Sequence, residues 1–164
     1  MALQNATGQS SRPPTIEDLL AVCRRLNEEG VKYLLVGGFA MNYYGFTRTT
    51  EDIDLLVDPS DDNISKVKSG LSFLPDNAIK EVALDDVDKY EVVRVADEIV
   101  IDLLKKACDI TYEKAEIEYF EFKGVRIPIA DLSTMIKTKQ SIRDKDKKDL
   151  LFLMTILKEK EEEN

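Results

Sequence analysis

The sequence contains no histidine. That absence removes Ser–His and Cys–His nucleophile pairs, zinc–histidine hydrolysis and histidine phosphorelay, and leaves carboxylate and lysine chemistry. Cysteine is scarce: Cys23 and Cys108, set among apolar or helical neighbours, are too few for a disulfide scaffold and read as buried free thiols of a reducing cytoplasm. No apolar run approaches the roughly 20 residues of a membrane span, so no membrane segment is expected. The first 14 residues are polar, rich in Ser, Gln and Pro, and lack the basic start and apolar segment of a signal peptide; they are expected to form a disordered tail. Basic residues are also in deficit, with 23 Lys and Arg against 32 Asp and Glu and a net charge of -9. Broad electrostatic binding to DNA or RNA depends on many cation–phosphate contacts and is disfavoured, so any nucleic-acid contact must be local.

What remains describes a soluble globular chain. Its 164 residues, 43% hydrophobic and 34% charged, suit one domain over residues 15–164. Ile16, Leu19, Leu20, Cys23 and Leu26 recur at helical spacing behind a Thr15 cap, predicting a helix from Thr15 to Glu29 that Gly30 ends. A strand over Val31–Val36 leads into a short helix, Gly38–Tyr44, broken by Gly45. The connector Phe46–Glu51 reaches a second strand, Asp52–Val57, closed by Asp58-Pro59, and a return helix over Ser60–Leu74.

The runs Tyr90–Ala96 and Ile99–Leu104 flank a turn-like Asp97-Glu98 and predict a hairpin. Ile117–Phe122 and Val125–Ile129 predict another across Lys123-Gly124, with Pro128 suited to an edge strand. Asp131 is expected to cap a helix through Lys139. A final helix, from about Lys145 to Lys158, would bury Leu150, Leu151, Met154 and Leu157 ahead of a frayed, solvated Glu-rich end. The order of elements predicts an α+β fold: a mixed β-sheet with helices mainly on one face.

The stretch Tyr33–Asp58 concentrates the chemistry. An apolar strand ending in Gly37-Gly38 suits a turn whose backbone N–H groups approach anionic oxygens, with a helix start adding a favourable dipole. Side chains alternate along a strand, so Asp52 and Asp54 share a face, and such a carboxylate pair repels itself unless a cation such as Mg²⁺ or Mn²⁺ neutralises it. Asp102 is a carboxylate inside an apolar run. If its strand lies beside the first pair, it completes a metal site of the kind that supports in-line phosphoryl displacement. Its apolar setting favours it over Asp97 or Asp109. Arg48, Lys137, Lys139 and Arg143 are candidates for holding a triphosphate or pyrophosphate.

The glycine pair, the Phe39–Glu51 segment, the Asp-Ile-Asp strand and the later lone Asp resemble the nucleotidyltransferase superfamily, whose fold is shared with polymerase β. The run Arg48–Asp54, with Lys139, Arg143, Lys145-Asp146 and Asp149, is similar to small bacterial nucleotidyltransferases, including antibiotic-modifying enzymes and toxin-type proteins of abortive-infection systems. The resemblance implies that Gly37 and Gly38 contact nucleotide phosphates, that Asp52 and Asp54 hold Mg²⁺, and that Asp102 is the third acid and deprotonates the acceptor hydroxyl. It implies transfer of a nucleoside monophosphate from an NTP to a small molecule, tRNA or protein.

Competing readings are a catalytically silent nucleotide- or partner-binding module, half of a toxin–antitoxin or two-component pair in which a second subunit or a homodimer partner completes the site, and a metal-dependent phosphohydrolase. The acids could also be a solvated strand rim. Equally, the Lys137–Lys148 run alternates with Asp144 and Asp146 and could be an ion-paired helix surface.

Overall fold

The computed structural model describes residues 10–164. In chain order the elements are α1 (Ile16–Glu28), β1 (Tyr33–Val36), α2 (Gly37–Tyr43), β2 (Ile53–Val57), α3 (Asp61–Leu71), a 3-10 turn (Ala78–Glu81), α4 (Asp86–Lys89), β3 (Val93–Ala96), β4 (Val100–Leu104), β5 (Lys106–Ala107), β6 (Ile110–Thr111), β7 (Ile117–Phe122), β8 (Val125–Ala130), α5 (Leu132–Thr138) and α6 (Asp144–Glu163). Six strands form a mixed sheet in the order β3-β4-β2-β1-β8-β7, and β5 pairs with β6 in a separate ribbon. The fold is therefore α+β, as its pattern predicts.

Local chemistry sets the boundaries. Thr15 and Asp18 form a reciprocal capping box at the start of α1: the Thr15 N–H donates to Asp18 Oδ2 at 2.7 Å, and the Asp18 N–H donates to Thr15 Oγ1 at 3.3 Å. The helix buries Leu19, Leu20, Val22, Cys23 and Leu26, while Ile16 stays exposed. Gly70 brings α3 against α1, since a Cβ there would lie 2.9 Å from Leu26 Cδ2. The tail expected over residues 1–14 falls partly outside the described residues. Its 10–14 portion runs to the β3–β4 loop, where Ser11 Oγ donates to the Asp97 carbonyl at 2.6 Å and the Arg12 N–H donates to the Glu98 carbonyl at 2.9 Å.

Two faces of the sheet follow from strand parity. The Tyr33 hydroxyl donates to Asn27 Oδ1 at 2.9 Å, so Tyr33 and Leu35 face α1 while Leu34 and Val36 face away. Cross-strand partners share a face, and the register pairs Val36 with Asp54, Asp54 with Asp102, and Asp102 with Arg94. These four residues therefore form one row across β1, β2, β4 and β3 on the face turned away from α1. Strands β1, β2 and β4 are almost wholly buried, so the row rests on an apolar floor.

Several expectations need correction. Pro128 does not lie on an edge: β8 sits between β1 and β7. Its missing N–H is tolerated because pairing between β1 and β8 is confined to Leu35 and Ile129. Tyr90–Val92 precede β3 rather than extending it, and the short helical turns after Leu74 carry no signal in the expected pattern. Helix α6 turns a different face inward. Leu153 is buried with Asp146 and Asp149; of the four expected residues Leu157 packs against the core and Leu150 is half-buried, whereas Leu151 and Met154 are 71% and 46% exposed. The ion pairs made by the two aspartates set the rotation of the helix. The Glu-rich end is exposed, as expected, but helical to Glu163 rather than frayed.

Candidate active site

The register that builds the sheet also builds the site. Asp54 on β2 and Asp102 on β4 are direct neighbours in a parallel pair, and Asp52 lies just before β2 on the same parity as Asp54. One carboxylate oxygen from each of the three lies within 4.8 Å of the others. The glycine pair passes directly over this group. Gly37 has φ +72°, and a Cβ on it would sit 2.0 Å from Asp54 Oδ2; a Cβ on Gly38 would sit 2.4 Å from Thr50 Cγ2. Only a residue without a side chain permits both the left-handed backbone and the close approach at Gly37.

Burial and mutual repulsion disfavour the charged form of two of these carboxylates. Asp54 is pushed up to about 7, first by burial and then by Asp52 and Asp102, with Lys139 and Lys145 opposing. Asp52 is raised by burial and by Asp102, against Arg94 and Lys145. Three hard oxygen donors, converging and mutually repelling, fit Mg²⁺ or Mn²⁺. The donors open into a cleft of about 730 Å³, whose lining includes both glycines, all three aspartates, Arg48, Lys139, Arg143 and Lys145.

The opposite wall is made by the turn from α5 into α6. The Lys139 ammonium lies 2.9 Å from Asp149 Oδ2 and 3.6 Å from Asp146 Oδ1. Arg48 reaches the same Asp149 through a fork, Nη1 to Oδ1 at 2.5 Å and Nη2 to Oδ2 at 3.1 Å. Arg143 donates to Asp146 from Nε at 2.9 Å and from Nη2 at 3.0 Å, and Ser141 Oγ donates to the same carboxylate at 2.6 Å. Asp149 is fully buried and Lys139 nearly so. This network ties the segment before β2 to the C-terminal helices.

A family model for the AbiEii nucleotidyl transferase toxin of type IV toxin–antitoxin systems matches residues 18–139. The chain belongs to the AbiEii family. No curated protein matches it. The AbiEii match runs from α1 to the residue after α5, so it takes in the glycine pair and all three aspartates; α6, with Asp146 and Asp149, lies beyond it.

Within this AbiEii chain the structure sorts the candidate residues. Asp52, Asp54, Asp102, Gly37, Gly38, Arg48, Lys139 and Arg143 meet at one cleft. Lys137 does not line it and is exposed. Asp97 is buried elsewhere, accepting from the N–H groups of Asp76, Ala78 and Glu98 at 3.0, 2.9 and 2.7 Å. It anchors a loop. Asp109 lines the cleft but stands outside the converging trio.

One residue at the centre of the site is absent from the expectations: Arg94, which donates to Asp102 Oδ1 at 2.8 Å, to Asp102 Oδ2 at 2.7 Å and to Asp52 Oδ2 at 3.1 Å. A hairpin closed by Asp97-Glu98 alone would oppose Asp102 to Val93. The actual loop also includes Ile99, and this one-residue shift sets Arg94 opposite Asp102. The described residues include no helix long and apolar enough to cross a membrane.

Proposed function

We propose that this AbiEii-family protein is a Mg²⁺-dependent nucleotidyltransferase that moves a nucleoside monophosphate from an NTP to an acceptor hydroxyl and releases pyrophosphate. The observation that carries the reading is the convergence of Asp52, Asp54 and Asp102 on one open cleft beneath Gly37-Gly38. Mg²⁺ held by these carboxylates supplies the charge neutralisation that an in-line displacement at phosphorus requires. Gly37 and Gly38 leave the backbone bare beside Asp54, where phosphate oxygens approach without meeting a side chain.

Asp102 is assigned as the third ligand and as acceptor of the hydroxyl proton. The nucleophile's O–H bond breaks as its oxygen joins the α-phosphorus, and the bond to pyrophosphate breaks with it. Arg143 and Lys145, at the cleft rim, are the cations placed to meet the triphosphate. Arg48 and Lys139 act chiefly through Asp149, holding the wall at the distance a nucleotide needs. The family points to an antitoxin as the genetic partner. The free Cys23 and Cys108 support a cytoplasmic setting.

The test is transfer of label from α-³²P-labelled NTPs in the presence of cell extract as acceptor source. Wild type is expected to label an acceptor only with Mg²⁺ or Mn²⁺, and Asp52→Asn with Asp54→Asn to label none. Unaltered labelling by the double variant would sink the assignment.

A further inference from the structure

Arg94 lies on two of the three carboxylates that would hold the proposed metal, Asp102 and Asp52, and nothing in the proposed reaction uses it there. Its guanidinium forks onto both oxygens of Asp102 and shares Nη2 with Asp52. Asp102 is almost completely buried, whereas the arginine is 45% exposed on the edge strand β3. One partner is therefore fixed, and the other is tethered at the mouth of the cleft with room to leave. A guanidinium and a divalent ion within the same group of carboxylate oxygens repel one another and compete for the same negative charge.

We infer that Arg94 is a resident cation that holds the carboxylates together in the metal-free protein and is displaced when the divalent ion enters. The inference rests on the proposed metal site. Arg94 is a positioning residue in this scheme: it keeps Asp52 and Asp102 aimed into the cleft, at the cost of weaker binding of metal alone. Arg94 lines the cleft together with Val92 and Glu91, so that a side chain released from Asp102 would be free to meet an anionic co-substrate there. Metal and NTP together would then achieve what metal alone does less well, so that the site charges mainly when both are present.

The experiment is calorimetric titration of the metal-free full chain with Mn²⁺, without nucleotide, for wild type, Arg94→Ala and Arg94→Lys. Loss of the competing charge should tighten binding in Arg94→Ala by about tenfold or more, and Arg94→Lys, which keeps charge but loses the fork, should fall between. Added ATP should tighten Mn²⁺ binding more in wild type than in Arg94→Ala. A second readout follows the arginine itself: in wild type the Arg94 Nε–H resonance, held by Asp102, should move to the position of a free arginine at saturating Mg²⁺. A merely structural ion pair would leave it in place.

Unchanged Mn²⁺ affinity in Arg94→Ala, or an Nε–H signal unmoved by Mg²⁺, overturns the inference even if transfer activity is normal. Tighter Mn²⁺ binding with no transfer on any NTP leaves the inference standing and removes the proposed reaction. If neither wild type nor Arg94→Ala binds Mn²⁺, both fall.

Discussion

The floor and the wall of the cleft are both crowded with charge, but in opposite states. On the floor, Asp52, Asp54 and Asp102 face one another with a single arginine between two of them, and the first two are raised by burial and mutual repulsion. On the wall, every buried carboxylate already has its cations: Asp149 takes Arg48 and Lys139, and Asp146 takes Arg143 and Lys139, with a further hydrogen bond from the neutral Ser141 hydroxyl. Asp146 is lowered despite its burial. A floor left short of positive charge suits the proposed cation from outside, while a satisfied wall needs none. Replacement of an acid should therefore have opposite consequences for stability on the two sides.

The sharpest test is Asp54→Asn. On the proposed mechanism, removing this carboxylate from the metal site should lower transfer by about 10³-fold or more, on the order of 4 kcal/mol of transition-state stabilisation. The same change should make the metal-free protein melt higher at neutral pH, because it removes a buried repulsion. The sign also shows in pH dependence. A carboxyl raised from 3.8 to about 7 binds more protons folded than unfolded, so metal-free wild type should lose stability as pH rises between those values, and Asp54→Asn should show a flatter profile. A lower melting temperature in Asp54→Asn would put the floor and wall in the same class.

On the wall the corresponding change is Asp149→Ala. It leaves Arg48 and Lys139 facing each other without the buried acid between them, and a broken buried pair costs about 3–5 kcal/mol. Urea denaturation should register that loss, with the effect on transfer following from the displaced wall. A neutral result would mean that the network is solvated and that α6 is not fixed by it.

The glycines test the floor by shape rather than charge, and less severely. Gly38→Ala directs a methyl group at Thr50 Cγ2, an overpacking expected to cost about 1–3 kcal/mol. Thr50→Ser removes that carbon and should restore much of the loss in the double variant, a coupling that denaturation of the four proteins measures. Gly37→Ala should not be rescued this way, because its obstacle is Asp54 together with a left-handed backbone.

The floor was legible in the sequence and the wall largely was not. Apolar runs, a glycine pair and alternating aspartates obey short-range rules, so β1, α2, β2, β4 and the Asp52–Asp54 pair could be placed by period and spacing, whereas Asp102 was singled out by its apolar setting and joined them only on the condition, met in the sheet, that its strand lies beside β2. Arg94 was hidden by one residue of hairpin register, which long-range pairing decides and local turn propensity does not. The inward face of α6 was misread for a related reason. Helical periodicity counts Leu151 and Met154 as core, but α6 faces inward through Leu153, Phe152, Ile156 and Leu157 together with Asp146 and Asp149, whose partners include cations on distant segments, Arg48 before β2 and Lys139 after α5. Buried aspartates beat exposed leucines there, and no hydrophobic pattern reports that.

The smallest effect separates the two lysines of the α5 segment and is the finest test of where the wall ends. Lys139 is buried in the network, whereas Lys137, two residues earlier, is exposed and clear of the cleft. Arg143, mostly exposed at the rim yet paired with Asp146, is intermediate. Lys137→Ala should leave kcat, KM and melting temperature unchanged, within about 0.5 kcal/mol for an exposed helix position. Arg143→Ala should raise KM for NTP several-fold, as loss of one exposed phosphate contact would, with little change in kcat. If Lys137→Ala raised KM as much as Arg143→Ala did, the triphosphate would have to run along the outside of α5, and the cleft wall would not end at the Lys139–Asp149 pair.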